Sequence, residues 1–355
     1  MEKLKRSLGS FVVPLLSILL AFIIGGIIMA ALGADPFAAV KYLFQGAFGS
    51  KGNIGTTLTK ATPLMFTSLC ACFAYKCGVF NLGGEGQFLM GSIAAFLTAY
   101  FTGATGFMGI VLALLAGTLA GGIWGMIPGV LKITRGQNEM IISIMLNYVA
   151  TLFMGVLYTN WIRDASVPQT PAVDDLVKLP RVIQGMRFTW GFVIAVVVGL
   201  LLYYVLFWTS SGFKLRAVGY NMTASRFNGI HVKRCMLASF IVSGAIAGLG
   251  GGAELLGTQF RLINGFGAGY GFDGVAMALI GQLHPIATMV VALFFAVLRV
   301  GSTTMQAATG VPTSVSDIIQ ALVIVFSVAG MALTKLPEFQ AWKDRVFSKR
   351  KAGDK

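Results

Sequence analysis

Charge is what this sequence has least of. Asp, Glu, Lys and Arg together make up 11% of its 355 residues, and the acidic ones number 13. A water-soluble chain of this length needs far more polar surface than that, and a disordered one more still. Histidine is nearly missing, with His231 and His284 the only two. The four cysteines, Cys70, Cys72, Cys77 and Cys235, contain no CxxC spacing, so neither a disulfide scaffold nor a thiolate metal site organises the chain. Small apolar filler is the role that fits them. No HExxH, GxSxG or GxxxxGK[ST] run occurs. No catalytic set, metal ligands or cofactor site is therefore expected, and the chain does not itself cradle ATP phosphates. The alternating glycines of Gly265–Gly271 lack the strand–helix unit that a dinucleotide site requires.

What fills the space is apolar. Hydrophobic residues reach 56%, with 45 glycines and 27 phenylalanines, and the mean hydropathy is +0.80. Runs long enough to cross a bilayer lie at Phe11–Leu32, Phe107–Leu131, Met140–Ile162, Gly191–Thr209, Met236–Leu256, Ile286–Ala308 and Ile318–Leu333. Ala61–Tyr75, Gln87–Phe101 and Gly274–Leu283 are shorter or broken. The fold class is thus an all-α integral membrane protein with about ten transmembrane helices, or nine if Gly274–Leu283 is re-entrant. The first run is too long for a signal-peptide core and reads as a retained helix.

The net charge of +14 raises the question of nucleic acid, but the positions of the charges answer it. With ten spans, one side collects Lys3, Lys5, Arg6, Lys76, Lys132, Arg135, the basic residues of 210–234 and the tail from Lys335. The other side has fewer: Lys41, Lys51, Lys60, Arg163, Lys178, Arg181, Arg187 and Arg261. The positive-inside rule then puts both termini in the cytoplasm and leaves no charge in need of a nucleic-acid partner.

The chain reads as a single membrane domain with two comparable halves, about 61–162 and 236–334. Asn81–Gln87 and Asn264–Gly274 are both glycine-rich breaks holding one carboxylate, and each leads into a short apolar segment. Ten spans would put the first break near the inner side and the second near the outer, an inverted repeat with a substrate path between its halves. Asn81, Glu85, Gln87, Asn264 and Asp273 are the candidate path residues. Glu85, Asp273 and Arg299 carry charge within apolar segments, where charge is expensive, while Glu254 and Asp317 lie nearer span ends. Glu85 and Asp273 have two compatible readings, as caps on half-helix N-termini and as groups facing solute. Outside lie 33–60, with Asp35 the N-cap of a helix on the membrane surface, and 163–190, a proline-bearing solvated loop.

The loop 210–234 is too polar to insert. Met222, Ser225, Arg226 and Gly229 fall on helical spacing, which predicts a short surface helix ending at Gly229, suited to docking a partner. The run Arg216-Ala-Val-Gly219-Tyr-Asn221, followed by Ala224, Gly229 and Ile230, resembles the cytoplasmic coupling loop of ABC-importer permeases of the branched-chain amino acid, ribose and nucleoside class. Gly78-Val-Phe-Asn-Leu-Gly-Gly-Glu-Gly-Gln87 is similar to the signature of the nucleoside permeases that work with basic-membrane-protein-type lipoproteins. Ala61-Thr-Pro-Leu64 and Asn138-Glu-Met-Ile141 fit the same branch.

The resemblance implies a vitamin B12 permease-like fold, one extra helix plus two inverted repeats with broken half-helices, in a bacterial cytoplasmic membrane. It also implies partners: a cytoplasmic ATP-binding cassette ATPase on the coupling loop, a second and different permease chain, and an extracellular solute-binding lipoprotein that delivers a nucleoside. On this reading the chain is a transport subunit and not an enzyme, with Arg216, Gly219, Asn221, Ala224, Gly229 and Ile230 coupling it to the ATPase. The same class of permease for ribose, galactose or riboflavin is an alternative. An ion-coupled carrier working alone would share the broken helices but have no use for the docking loop. The topology is directly testable. Lys51→Cys and Asp174→Cys are expected to react with an impermeant thiol reagent in intact cells, and Thr223→Cys only after the membrane is opened. Labelling of position 223 from outside contradicts the ten-span arrangement.

Overall fold

A computed structural model describes residues 2–164 and 167–333, with side chains described from Leu15. The basic tail from Lys335 and the side chains of Lys3, Lys5 and Arg6 lie outside the described residues. Each of the ten apolar runs is a helix: α1 (Glu2–Ala31), α3 (Lys51–Lys76), α4 (Gly84–Phe101), α5 (Gly106–Arg135), α6 (Glu139–Val156), α7 (Trp190–Trp208), α10 (Val232–Glu254), α11 (Tyr270–Ile280), α12 (Pro285–Thr309) and α13 (Ser314–Leu333). Three more α-helices lie among the described residues: α2 (Pro36–Phe48), α8 (Ser210–Tyr220) and α9 (Met222–Phe227). Among the described residues, the only strand-like pairing outside helices is one isolated bridge, Arg181–Thr189.

Five helical segments are long and apolar enough to cross a bilayer: Gly106–Arg135, Glu139–Trp161, Trp190–Trp208, Val232–Gln259 and Pro285–Thr309. A sixth is added if Leu15–Ala31 and Pro36–Phe48, bent by 116° at their junction, form one broken span. Phe107, Leu119, Leu152 and Trp208 are among many large apolar side chains left exposed on these helices. Such surfaces would aggregate in water and identify an integral membrane protein.

The chain forms two compact units. One gathers the residues up to Gly46 with those from Gly301 onward, and the other is Ala47–Val300. In the first, α1 lies along α13, and Gly25 sits under the Ile319 side chain. Asp35 caps α2, accepting from Phe37 N at 2.9 Å. Leu43 of α2 packs on α12, where a Cβ on Gly301 would lie 2.2 Å from the Leu43 carbonyl oxygen.

The second unit is built around α4, α5 and α10, which approach backbone to backbone. Gly117, Gly121 and Gly125 recur every fourth residue on α5, as Gly244 and Gly248 do on α10. A Cβ on Gly248 would lie 2.3 Å from Gly117 O, one on Gly121 2.4 Å from Gly244 O, and one on Gly91 2.3 Å from Gly248 Cα. In lipid, where apolar side chains gain nothing by leaving the solvent, such close approach supplies the dispersion contacts that hold helices together. α3 is buried from Ala61 to Tyr75 and packs against α10 and α11.

The loop 163–190 departs from the solvated segment read from sequence. Thr170, Val173, Val177 and Leu179 are buried. Backbone bonds strap the loop to the segment after α10: Thr170 N to Leu262 O (3.0 Å), Val173 N to Phe260 O (2.8 Å) and Leu179 N to Leu256 O (2.8 Å). That segment begins with the π-turn Leu255–Gln259 and includes Phe260 at φ 60°. Its freed backbone groups need these partners.

The glycine junction makes a stability prediction. Gly248→Ala is expected to lower the unfolding midpoint in detergent, overpacking of this kind costing about 1–3 kcal/mol. Gly155→Ala on α6, where the nearest atom is Tyr158 Oη at 4.0 Å, is expected to leave it in place. Equal midpoints for the two variants would remove the glycine contacts as the limit on packing.

Candidate functional site

The two glycine-rich breaks meet. α11 has 11 residues, about 16 Å at 1.5 Å per residue, half of what a bilayer crossing needs. Its N-terminus therefore lies against the N-terminus of α4. Glu85, in the first turn of α4, accepts a hydrogen bond from Gly269 N at 3.2 Å. A Cβ on Gly271 would lie 2.4 Å from Glu85 N, so α11 can approach only without a side chain there. Both carboxylates sit in first turns, Glu85 on α4 and Asp273 on α11, where the helix dipole favours negative charge.

Asp273 forms an ion pair with Arg299 of α12. Arg299 also lies over the Tyr270 ring, 5.7 Å from its centroid, and Tyr270 meets Phe88 edge to face at 5.9 Å. Glu85 and Asn264 line a cavity of about 50 Å³ with Thr151, Met154 and Tyr158. That volume suits a water or two. Glu254 is buried at the end of α10 and accepts from Gln259 Nε2 at 3.3 Å. Asp317 is exposed in the first turn of α13.

Asn81 and Gln87 face each other. Asn81 Nδ2 donates to Gln87 Oε1 and Gln87 Nε2 donates to Asn81 Oδ1, both at 3.0 Å. Asn81 Nδ2 also reaches Ser243 Oγ on α10 at 2.9 Å, and Gly83 N donates to Asn81 Oδ1 at 3.0 Å. Asn147 of α6, which the sequence reading did not single out, bridges the same break. It accepts from Gly86 N (2.8 Å) and donates to Leu82 O (2.9 Å). These amides satisfy the backbone groups freed where α3 stops and α4 starts. No local sequence signal marks Asn147, because its partners lie some 60 residues away.

The loop 210–234 is more helical than its polarity suggested. Thr209 caps α8, accepting from Gly212 N at 3.1 Å. Asn221 caps α9, accepting from Ala224 N at 2.9 Å. The short helix read from the Met222–Gly229 spacing is present as α9, and Gly229 at φ +77° lets the chain leave it. Asn221, Ala224 and Ile230 line a groove of about 610 Å³ between α8 and α9, with Phe213, Ala217 and Tyr220. The other three coupling candidates lie elsewhere. Gly229 ends the helix. Gly219 abuts the end of α3, where a Cβ would lie 2.1 Å from the Lys76 carbonyl oxygen. Arg216 does not line the groove, and its guanidinium lies 5.0 Å from the Phe207 centroid.

Broken helices whose N-termini meet inside a helical membrane protein that also carries a grooved polar loop are the build of a transporter. The chain belongs to the permease family described as branched-chain amino acid transport system / permease component, which matches residues 53–328. It is similar to the guanosine ABC transporter permease protein NupP of Bacillus subtilis, at 32% identity over 92% of this chain and 96% of the relative. The nucleoside ABC transporter permease protein NupB of Lactococcus lactis is 32% identical over 96% of both chains. The glucose ABC transporter permease protein TsgB13 of Haloferax volcanii is 33% identical over 88% and 86%. No solved structure was found to match.

The ion pair at the α11 N-terminus yields a double-mutant test. Asp273→Asn or Arg299→Gln alone leaves one charge facing a neutral partner at membrane depth, a loss on the order of 3 kcal/mol. The double variant is expected to unfold in detergent at a higher temperature than either single one. Additive losses would show that the two charges do not stabilise each other.

Proposed function

We propose that this chain is a transmembrane subunit of an ATP-driven importer that moves nucleosides inward across a bacterial cytoplasmic membrane. The observation that carries the substrate class is the near full-length likeness to two permeases named for guanosine and nucleosides, together with Gly78–Gln87, the nucleoside-type signature, at the helix break itself. The glucose permease relative keeps a sugar as the competing substrate. The chain performs no chemistry; ATP is hydrolysed by a cassette ATPase seated in the groove between α8 and α9, and an extracellular lipoprotein delivers solute to 33–60 and 163–190. A second permease chain covers part of the exposed apolar surface.

In this proposal ten spans form one single membrane domain. It comprises one extra helix and inverted halves at about 61–162 and 236–334, with both termini cytoplasmic and 210–234 as the coupling loop. Glu85, Asn264 and Asp273 face the solute path, and Asn81 and Gln87 hold the break in shape. A cavity of about 50 Å³ is too small for a nucleoside, so passage requires the contact between Glu85 and Gly269 to open. Asn221, Ala224 and Ile230 make the ATPase contact, while Gly219 passes its movement to the end of α3.

Ala224 is exposed and lines the groove, so it becomes covered when the ATPase docks. A carboxylate there would be desolvated without a partner, a loss of several kcal/mol. Ala224→Glu is therefore expected to abolish nucleoside uptake in whole cells and to release the ATPase on detergent pull-down of the tagged permease. Membrane insertion should stay normal, because the site faces water before assembly. Full uptake with this variant favours a carrier that works without an ATPase.

A further inference from the structure

A second polar site lies at the end of α7, around residues that do not line the docking groove. The Phe207 ring is its centre. Arg216 lies 5.0 Å from the ring centroid and Lys76 Nζ 5.9 Å. His284 packs against both Phe207 and Tyr203, with centroids 5.4 Å apart in each case. The turn that delivers His284 is strained, since Gln282 and Leu283 both adopt φ near +55° (54° and 56°). Burial and the nearby Lys76 ammonium push the His284 pKa below the ordinary histidine range, leaving a neutral donor beside two cations.

Among the described residues neither Lys76 nor Arg216 takes part in an ion pair, and Arg216 Nε is buried with no acceptor. A buried donor on a fixed cation is costly to leave unmatched. The position indicates what supplies the acceptor. Tyr204 and Trp208, within one turn of Phe207, are 58% and 71% exposed, the pattern of aromatic residues at a bilayer interface. Arg216 is absent from the lining of the docking groove, so an ATPase carboxylate seated there would not meet it. Basic pockets between helices at the cytoplasmic face suit lipid phosphates.

We infer that Lys76, Arg216 and His284 around Phe207 form a binding site for the phosphate of an anionic phospholipid of the inner leaflet. The phosphodiester accepts from the part-exposed guanidinium of Arg216 and from Lys76 Nζ while the acyl chains lie along Tyr204 and Trp208. The site ties lipid charge to α8, whose Gly219 abuts Lys76 itself.

The test is lipid binding to the purified full-length chain by native mass spectrometry, with phosphatidylglycerol and phosphatidylcholine as probes. Wild type is expected to prefer phosphatidylglycerol. Lys76→Gln should weaken that binding about fivefold, the equivalent of roughly 1 kcal/mol for one lysine at an anionic surface. Lys76→Arg should retain it, and so should Lys233→Gln, an exposed inner-side control. Size-exclusion profiles matching wild type show that each variant is folded. Equal retention by Lys76→Gln and wild type overturns the inference. Displacement of the lipid by inorganic phosphate alone reassigns the site to a soluble anion and also overturns it. Unchanged lipid binding with loss of the ATPase on pull-down would assign the cations to the protein interface instead.

Discussion

The close approach of α4, α5 and α10 is the constraint on which the rest of the second unit depends. These helices touch through carbonyl oxygens and glycine Cα atoms, and no other residue fits where a Cβ would come within 2.3 Å of a backbone atom. Because α4 is held this way, its N-terminus is fixed, and with it Glu85. Ser243, one residue before Gly244 in the α10 contact, is also the group that Asn81 Nδ2 bonds. The packing junction and the helix break are therefore a single construction: glycines bring the backbones together, and amides next to them satisfy the polar groups that the break exposes.

This arrangement gives the loop 210–234 a short route to the break. Gly219 of α8 rests on the Lys76 carbonyl, and Gly78, at φ +75°, follows two residues later with Gly219 Cα 3.3 Å from where its Cβ would be. Three residues further on stands Asn81, the start of the amide network. The route is a chain of backbone contacts with almost no flexible side chain in it, so displacement of α8 would be passed on with little slack. At its far end lies the contact between Glu85 and Gly269, the one that solute passage would have to open.

Much of this was legible in the sequence because hydrophobic runs and caps are local. All ten apolar runs became helices, Asp35 capped α2, and the Met222–Gly229 spacing became α9. α3 begins at Lys51, well before Ala61, because Ser50 caps it (Asn53 N to Ser50 Oγ, 3.1 Å); its Gly- and Thr-rich first turns are not apolar enough to mark it in the sequence. α8 was hidden by its polarity, which marks it as non-inserting without deciding its backbone. What could not be read was long-range pairing. Asp273 and Arg299 each stood out as charges in apolar surroundings, but their ion pair spans 26 positions. The loop 163–190 looked solvated because its partners, Leu256, Phe260 and Leu262, lie far along the chain. Asn81 and Gln87 stood out as polar groups near a break, and composition cannot say whether such amides face a path or each other.

The central claim is that transport through this chain is driven by ATP hydrolysis in a partner. The most direct measurement is uptake of labelled guanosine by cells expressing the chain with its partner subunits, with the two energy sources separated. The account predicts that uptake continues when ionophores dissipate the proton and sodium gradients while ATP is maintained, and stops when ATP is depleted while those gradients are held. Uptake that survives ATP depletion and collapses with an ion gradient would contradict it.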